Sequence, residues 1–355
     1  MIPVTIISGF LGSGKTTLLN HLLRHHHGER IAVLVNDFGS IDIDGELVVS
    51  VEGETLALSG GCICCTIRSD LEDTVRDLLA VKQPPERIVI EASGVSDPTS
   101  VAMTFFAGNL GGRCRVETIV TLVDGEAFLA TDVAMRSLLD SQLMVADLVV
   151  LNKADACSVE TMDQVEKRIR SAYPRARIIR TSFAKVPHEL LFGLNEQPVV
   201  ECGNLDPLPT HVHDTEGNHH HHNHDDHTLI FDTWSFSEEA PMDRYRLMQE
   251  LADLPTSVYR VKGFVHARDV PDHEVVVHVA GRRVHQYRGK PWSDRIRKTQ
   301  LVIIANQGQL SHEHLRERLI VCCQVTSEAR PNLPEGAEAF MARFTSRLRA
   351  YGLME

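Results

Sequence analysis

Apolar positions along this chain fall into two rhythms. V-T-I-I-S (4–8) is a short β-branched run bounded by glycine, and the leucines of G-K-T-T-L-L-N-H-L-L directly after it recur at helical spacing. That predicts a strand, a glycine loop and a helix. Further short apolar runs, R-I-A-V-L-V, E-T-L-A-L-S, R-I-V-I-E, E-T-I-V-T-L-V, D-L-V-V-L-N and R-I-I-R, read as strands, with helical patterns in L-E-D-T-V-R-D-L-L and A-T-D-V-A-M-R-S-L-L-D-S-Q-L-M between them. Strand and helix in alternation predict an α/β domain on a mostly parallel sheet over residues 1–200.

The rhythm changes after a proline-punctuated stretch, E-Q-P-V-V-E-C-G-N-L-D-P-L-P. From Thr228 the runs T-L-I-F-D-T-W-S-F, S-V-Y-R-V-K-G-F-V-H-A, E-V-V-V-H-V-A, R-R-V-H-Q-Y and Q-L-V-I-I-A predict strands, and M-D-R-Y-R-L-M-Q-E-L and E-H-L-R-E-R-L-I-V-C-C predict helices. A smaller α+β domain with a mostly antiparallel sheet is expected over 228–326, behind a linker at 201–227. A helical tail is expected over 327–355. No internal repeat is visible.

Composition narrows the class. In 355 residues, 43% are hydrophobic and 24% charged, enough to bury a sizeable core. A formal charge of −12 argues against a general affinity for nucleic acid or for an anionic membrane. No apolar run approaches the ~18 residues of a membrane span, and the N-terminus shows no basic region or cleavage site. A cytoplasmic protein is expected.

Three motifs at the predicted strand ends carry chemistry. Gly9, Gly12, Gly14, Lys15 and Thr16 fit G-x-x-x-x-G-K-[ST], in which backbone N–H groups curl around phosphate oxygens, the lysine meets the terminal phosphates and the hydroxyl ligates magnesium. The alternative is an ordinary glycine-rich turn. Asn152, Lys153 and Asp155 spell N-K-x-D after a strand, and an aspartate there can accept two hydrogen bonds from guanine that adenine cannot donate. The pair of motifs points to GTP. Thr181, Ser182, Phe183 and Ala184 are expected to close over the base.

Glu91 and Asp37 each end an apolar run, and ligands of open α/β sheets bind beyond such ends. Glu91 would hold magnesium or position the attacking water, and Gly94 would sense the γ-phosphate through its N–H. Asp37 would contact magnesium or another metal, unless N-D-F-G is simply a turn. Asp124 is a rival magnesium carboxylate, with helix capping the favoured reading.

S-G-G-C-I-C-C-T places Cys62, Cys64 and Cys65 at another strand end. Three thiolates suit Zn²⁺ or Co²⁺ with a fourth position left over; a buried cysteine cluster and a redox pair are the alternatives. His211, His213, His219, His220, His221, His222, His224 and His227 hold eight of the 19 histidines in the linker, an auxiliary metal-attracting tract without fixed spacing. His25, His26 and His27 read as helix-end cations, and the adjacent Cys322 and Cys323 as core residues.

Together V-T-I-I-S-G-F-L-G-S-G-K-T-T, V-N-D-F-G, G-G-C-I-C-C, I-E-A-S-G and N-K-A-D resemble the CobW family of GTP-binding metallochaperones. R-V-K-G-F and W-S-D-R resemble its C-terminal domain. The resemblance implies a SIMIBI-type P-loop GTPase that binds metal at Cys62, Cys64 and Cys65 with Mg-GTP and releases it to a client apoprotein after hydrolysis. It implies GTP contacts for Gly12, Ser13, Gly14, Lys15, Thr16 and Thr17 together with Asn152, Lys153 and Asp155. Zinc is the first metal to consider and cobalt the next. A homo-oligomer is left open. The competing reading is a metal buffer that stores ions on the histidine tract, and a small-molecule kinase is disfavoured by N-K-A-D.

Overall fold

The computed structural model describes residues 1–24, 30–37, 55–59, 67–106, 110, 112–131, 133–192, 231–281, 283–293 and 295–324. They divide into two compact units, one of Met1–Phe192 with Ala280–Arg283, the other of the described residues in 193–279 and 284–327.

The first unit is built on a seven-stranded sheet. Its strands are β1 (Ile2–Gly9), β2 (Ile31–Asp37), β3 (Thr55–Ser59), β4 (Arg87–Glu91), β5 (Cys114–Asp124), β6 (Leu148–Asn152) and β7 (Ile178–Arg180), in the order β3-β2-β4-β1-β5-β6-β7. Every adjacent pair is parallel. Parallel neighbours need crossovers, and the helices supply them: α1 (Lys15–Arg24), α2 (Ile67–Ala80), α3 (Pro98–Phe106), α4 (Val133–Val145), α5 (Val159–Ala172) and α6 (His188–Phe192). Val4, Ile6, Leu34, Ile88 and Ile90 pack with Val75 and Phe105 in one apolar cluster, and Val123, Val149 and Leu151 pack with Leu143 and Val165 in another. The predicted α/β sheet is thus present, and buried.

Helices α3, α5 and the short α6 have no counterpart among the predicted helices. In α3 the sequence P-T-S-V-A-M-T-F-F has only the hydroxyls of Thr99, Ser100 and Thr104 as polar groups and no charge, so its amphipathic stripe is weak. Its start is nevertheless chemically marked: proline takes the first position and the Asp97 carboxylate accepts from Thr99 N at 2.8 Å. The start of α5 is marked by Ser158, whose hydroxyl accepts from Thr161 N at 3.2 Å.

At the edge away from the strand C-termini, Arg87 and Glu117 form a buried ion pair at 2.6 Å. The same guanidinium donates to the Phe192 carbonyl at 3.2 Å and lies 4.4 Å above its ring, tying α6 to the sheet.

The second unit has a five-stranded sheet in the order β11-β10-β9-β12-β8, from β8 (Phe231–Glu238), β9 (Val258–Val265), β10 (His273–Ala280), β11 (Arg283–Pro291) and β12 (Thr299–Asn306). Strand β12 runs antiparallel to both β8 and β9. Helices α7 (Arg244–Ala252) and α8 (His312–Val321) are capped by Asp243 and Ser311 and joined by Arg318–Glu250 at 2.8 Å. Cys322 caps α8 and is fully buried, as the reading of a core cysteine requires.

Candidate functional site

The parallel register brings the motif residues to one rim. Gly9 at the end of β1 pairs with Leu122 of β5, Ile7 with Glu91 of β4, Val35 of β2 with Glu91, and Asp124 with Asn152. Four strand C-termini therefore open on the same side, beside the central β1, where the strand order leaves one flank of the sheet for the other.

The loop after β1 turns into α1 through glycines with positive φ, and Gly14 shows why no other residue fits. Its φ is 102°, and a Cβ there would stand 2.5 Å from the Asn152 amide nitrogen. Lys15 opens α1, is 8% exposed, and donates to the Phe10 carbonyl at 3.2 Å. The N-terminal N–H groups of α1 thus face the same loop as the lysine ammonium, a positive pocket suited to phosphate oxygens. Next to it the Thr16 hydroxyl donates to Glu91 Oε1 at 2.8 Å, and Glu91 is buried. A hydroxyl and a carboxylate oxygen at the phosphate loop are the hard ligands magnesium takes, so these two residues fit that ion.

Asn152 does more structural work than its place in N-K-A-D discloses. Its amide nitrogen donates to the Ser13 carbonyl at 2.9 Å, and its oxygen accepts from Ala184 N at 2.9 Å. One buried carboxamide thereby joins the phosphate loop, the N-K-A-D turn and the loop after β7. That last loop is also tied by Ala154 N to the Thr181 carbonyl at 3.1 Å, and its Phe183 and Ala184 hold φ values of 55° and 51°. Non-glycine residues in that region are strained, and they persist only where surrounding contacts hold them, as the Asn152 bond to Ala184 N does here. Asp155 is exposed and Phe183 is 63% exposed.

Asp124 answers the question its position raised. Its carboxylate accepts from Glu126 N at 3.0 Å and Ala127 N at 3.2 Å, closing a local turn rather than capping a helix as expected, and its other oxygen meets Lys153 Nζ at 2.6 Å. The hydrogen bond to Asp124 pushes the Lys153 ammonium above the ordinary lysine value, with burial opposing. Asp124 is therefore committed to the N-K-A-D turn, not to magnesium.

Gly94, in the turn after β4, lies against the phosphate loop: a Cβ on it would stand 2.8 Å from Leu11 N and 3.0 Å from Leu11 Cα. Behind that turn is a residue the motifs do not include. Gln142 of α4, wholly buried, donates from Nε2 to the carbonyls of Gly94 and Ser96, both at 3.3 Å. Its one sequence signal is an amide amid apolar helical neighbours Leu138, Leu139 and Val145.

Several expected residues are not described. Asp37 ends β2 opposite Ser59 of β3, so its backbone reaches the same rim, but its side chain lies outside the described residues. Cys62, Cys64 and Cys65, His25 to His27, the histidines from His211 to His227 and the tail lie outside them entirely. Among the described residues no three His, Cys, Asp or Glu side chains converge as metal ligands. Burial pushes the thiols of Cys114 and Cys322 up to about 11 and about 12, so neither is a thiolate at neutral pH. No helix among the described residues is long and apolar enough to cross a membrane.

Comparison with known proteins adds to this geometry. The pattern of the CobW/HypB/UreG nucleotide-binding domain matches residues 3–180, and that of the cobalamin synthesis protein cobW C-terminal domain matches 231–323. The chain is 33% identical over 338 residues to the zinc chaperone CobW of Pseudomonas aeruginosa, covering 86% of this chain and 88% of that one. It is 34% identical over 201 residues to the zinc chaperone YjiA of Escherichia coli, covering 55% and 62%. Among solved structures, the Zn(II)-bound YjiA GTPase from E. coli aligns over 90% of this chain and 98% of its own, at 23% identity and a TM-score of 0.41.

Proposed function

The chain belongs to the CobW/HypB/UreG family, and from that premise we propose that it is a GTP-hydrolysing metallochaperone that loads a divalent transition metal and passes it to a client apoprotein. The observation that carries the GTPase reading is the Thr16 hydroxyl against the Glu91 carboxylate at the mouth of a loop that Asn152 fastens to N-K-A-D. In this reading phosphate chemistry and base recognition meet at one site, and these two contacts support it.

The chain's own groups act by positioning and charge. The helix α1 N-terminus and Lys15 hold the β- and γ-phosphates, Asp155 takes guanine, and Lys153, held by Asp124, keeps that turn in place. Magnesium, held by Thr16 and Glu91, would neutralise charge on the phosphates. Gly94 N–H reads the γ-phosphate, and its contact with Leu11 passes any shift to the phosphate loop.

The cargo is zinc first, with cobalt next. Zinc is the ion in the names of the P. aeruginosa and E. coli relatives, and thiolates suit both metals. Cys62, Cys64 and Cys65 are the cargo ligands in this reading. They follow β3, whose last residue, Ser59, is in register with Asp37 on the rim of the nucleotide site. If hydrolysis releases the cargo, the chain filled with Mg-GTP must hold zinc more tightly than the chain filled with Mg-GDP, and zinc must then favour GTP over GDP by the same factor. A zinc competition titration of the full chain with each nucleotide tests this; equal affinities would sink the proposal.

A further inference from the structure

We propose that Gln142 is a positioning residue for GTP hydrolysis, setting the Gly94–Ser96 turn through its carboxamide; the inference rests on the GTPase reading above. Its two hydrogen bonds reach the carbonyls of Gly94 and Ser96, on either side of Val95, from a helix that lies between β5 and β6. The base of this contact is firm. Gln142's own carbonyl accepts the Thr121 hydroxyl at 3.0 Å, one residue before Leu122, the partner of Gly9 in the sheet.

Ser96 closes the turn locally, both N and Oγ returning to the Ser93 carbonyl at 3.1 and 2.8 Å. At 3.3 Å the Gln142 bonds lie at the long end for N–H···O, so they are weak enough to exchange. Gly94 lies so near Leu11 of the phosphate loop that a Cβ on it would overlap that residue, and its carbonyl accepts from Gln142, so the carboxamide is one residue removed from the phosphate loop.

The second observation is that Gln142 Oε1, buried, has no hydrogen-bond partner among the described residues. An idle buried acceptor is unusual enough to need a reason. A carboxamide carries a donor face and an acceptor face, and the turn's peptides carry both complements. The present arrangement uses the donor on two carbonyls. Rotation of a turn peptide would present an N–H to Oε1, giving a second satisfied arrangement of the same pair. Two discrete arrangements joined to the phosphate loop are what a nucleotide-state switch needs.

The test uses the full chain in Mg²⁺ with Gln142→Met, close in shape but without either hydrogen-bonding face. Affinities for GDP and for a non-hydrolysable GTP analogue are measured, with kcat, KM and the melting temperature. We expect the analogue-to-GDP affinity ratio to fall by about fivefold or more. The kcat should fall by about tenfold to a hundredfold while GDP affinity holds. A merely structural glutamine would weaken both nucleotides in parallel, and that result, or an unchanged ratio and kcat, overturns the inference.

Should Gln142→Met not fold, Gln142→Glu decides the matter by its pH profile. Its carboxylate cannot donate to the two carbonyls, so kcat relative to wild type must rise as pH falls and the carboxyl regains a proton; a flat ratio overturns the inference. A wild-type chain that neither binds nor hydrolyses GTP removes the functional reading as well. An active wild type with indifferent variants removes only the role of Gln142.

Discussion

Replacing Asn152 with alanine removes the side chain that holds three loops together. Two hydrogen bonds of 2.9 Å vanish, and the Ser13 carbonyl and Ala184 N–H lose their partner in a place where Asn152 is 3% exposed and Ser13 and Ala184 fully buried. Each stranded group costs about 1–3 kcal/mol, so the pair amounts to about 2–6 kcal/mol, with the lower figure applying if water enters the gap. The protein can meet that cost by losing stability or by letting the loops part. If the loops part, even about 2 kcal/mol is a loss of roughly thirtyfold in nucleotide affinity. Neither bond touches the region of Gly94, so GDP and a GTP analogue should weaken together, which separates this variant from those at Gln142. Fluorescent-nucleotide titration alongside urea unfolding measures both outlets. An affinity within about threefold of wild type together with an unchanged unfolding midpoint would refute the reasoning, since the stranded groups would then cost nothing.

Other consequences concern separate parts of the chain. Asp124→Asn should weaken guanine nucleotide binding; because Lys153's folded value lies above its unfolded one, the pair stabilises fully below pH ~10.4 and fades as pH rises through the raised value. The variant should therefore melt below the wild type at neutral pH, and the difference should shrink as pH rises through that raised value. Glu117→Ala removes the carboxylate that balances the buried Arg87 guanidinium and should cost about 3–5 kcal/mol in urea unfolding. Nucleotide affinity of the folded protein should not change, as the pair lies at the opposite edge of the sheet from the site. Deleting residues 211–227 should leave tight, GTP-dependent zinc binding in place, whereas Cys→Ala changes at Cys62, Cys64 and Cys65 should abolish it; the reverse pattern in a competition titration would favour the buffer reading.

Much of this was written in local sequence. The strand–loop–helix of Gly9 to Thr16 and the strand-terminal N-K-A-D are short-range patterns, because backbone geometry and phosphate chemistry dictate residue types at fixed offsets. The apolar runs sufficed to predict an α/β domain followed by an α+β one, since alternation and run length are local properties too. Helix α3 escaped because it is short and its polar positions, Thr99, Ser100 and Thr104, are uncharged hydroxyls that mark a helical period only weakly.

What only the tertiary structure decided is which distant residues meet. Asp124 could have been a magnesium ligand or a cap by sequence; the β5–β6 register sets it opposite Asn152 and beside Lys153, which takes its second oxygen. Asn152 reads as a base contact but also reaches Ser13 and Ala184, and Gln142 carries no motif at all until α4 brings it under Gly94. The physical reason is common to all three. A sequence specifies each residue's chemistry and local conformation, whereas a hydrogen bond needs its two partners within about 3 Å, and for residues so far apart in the chain only the packed sheet and its crossovers set that distance.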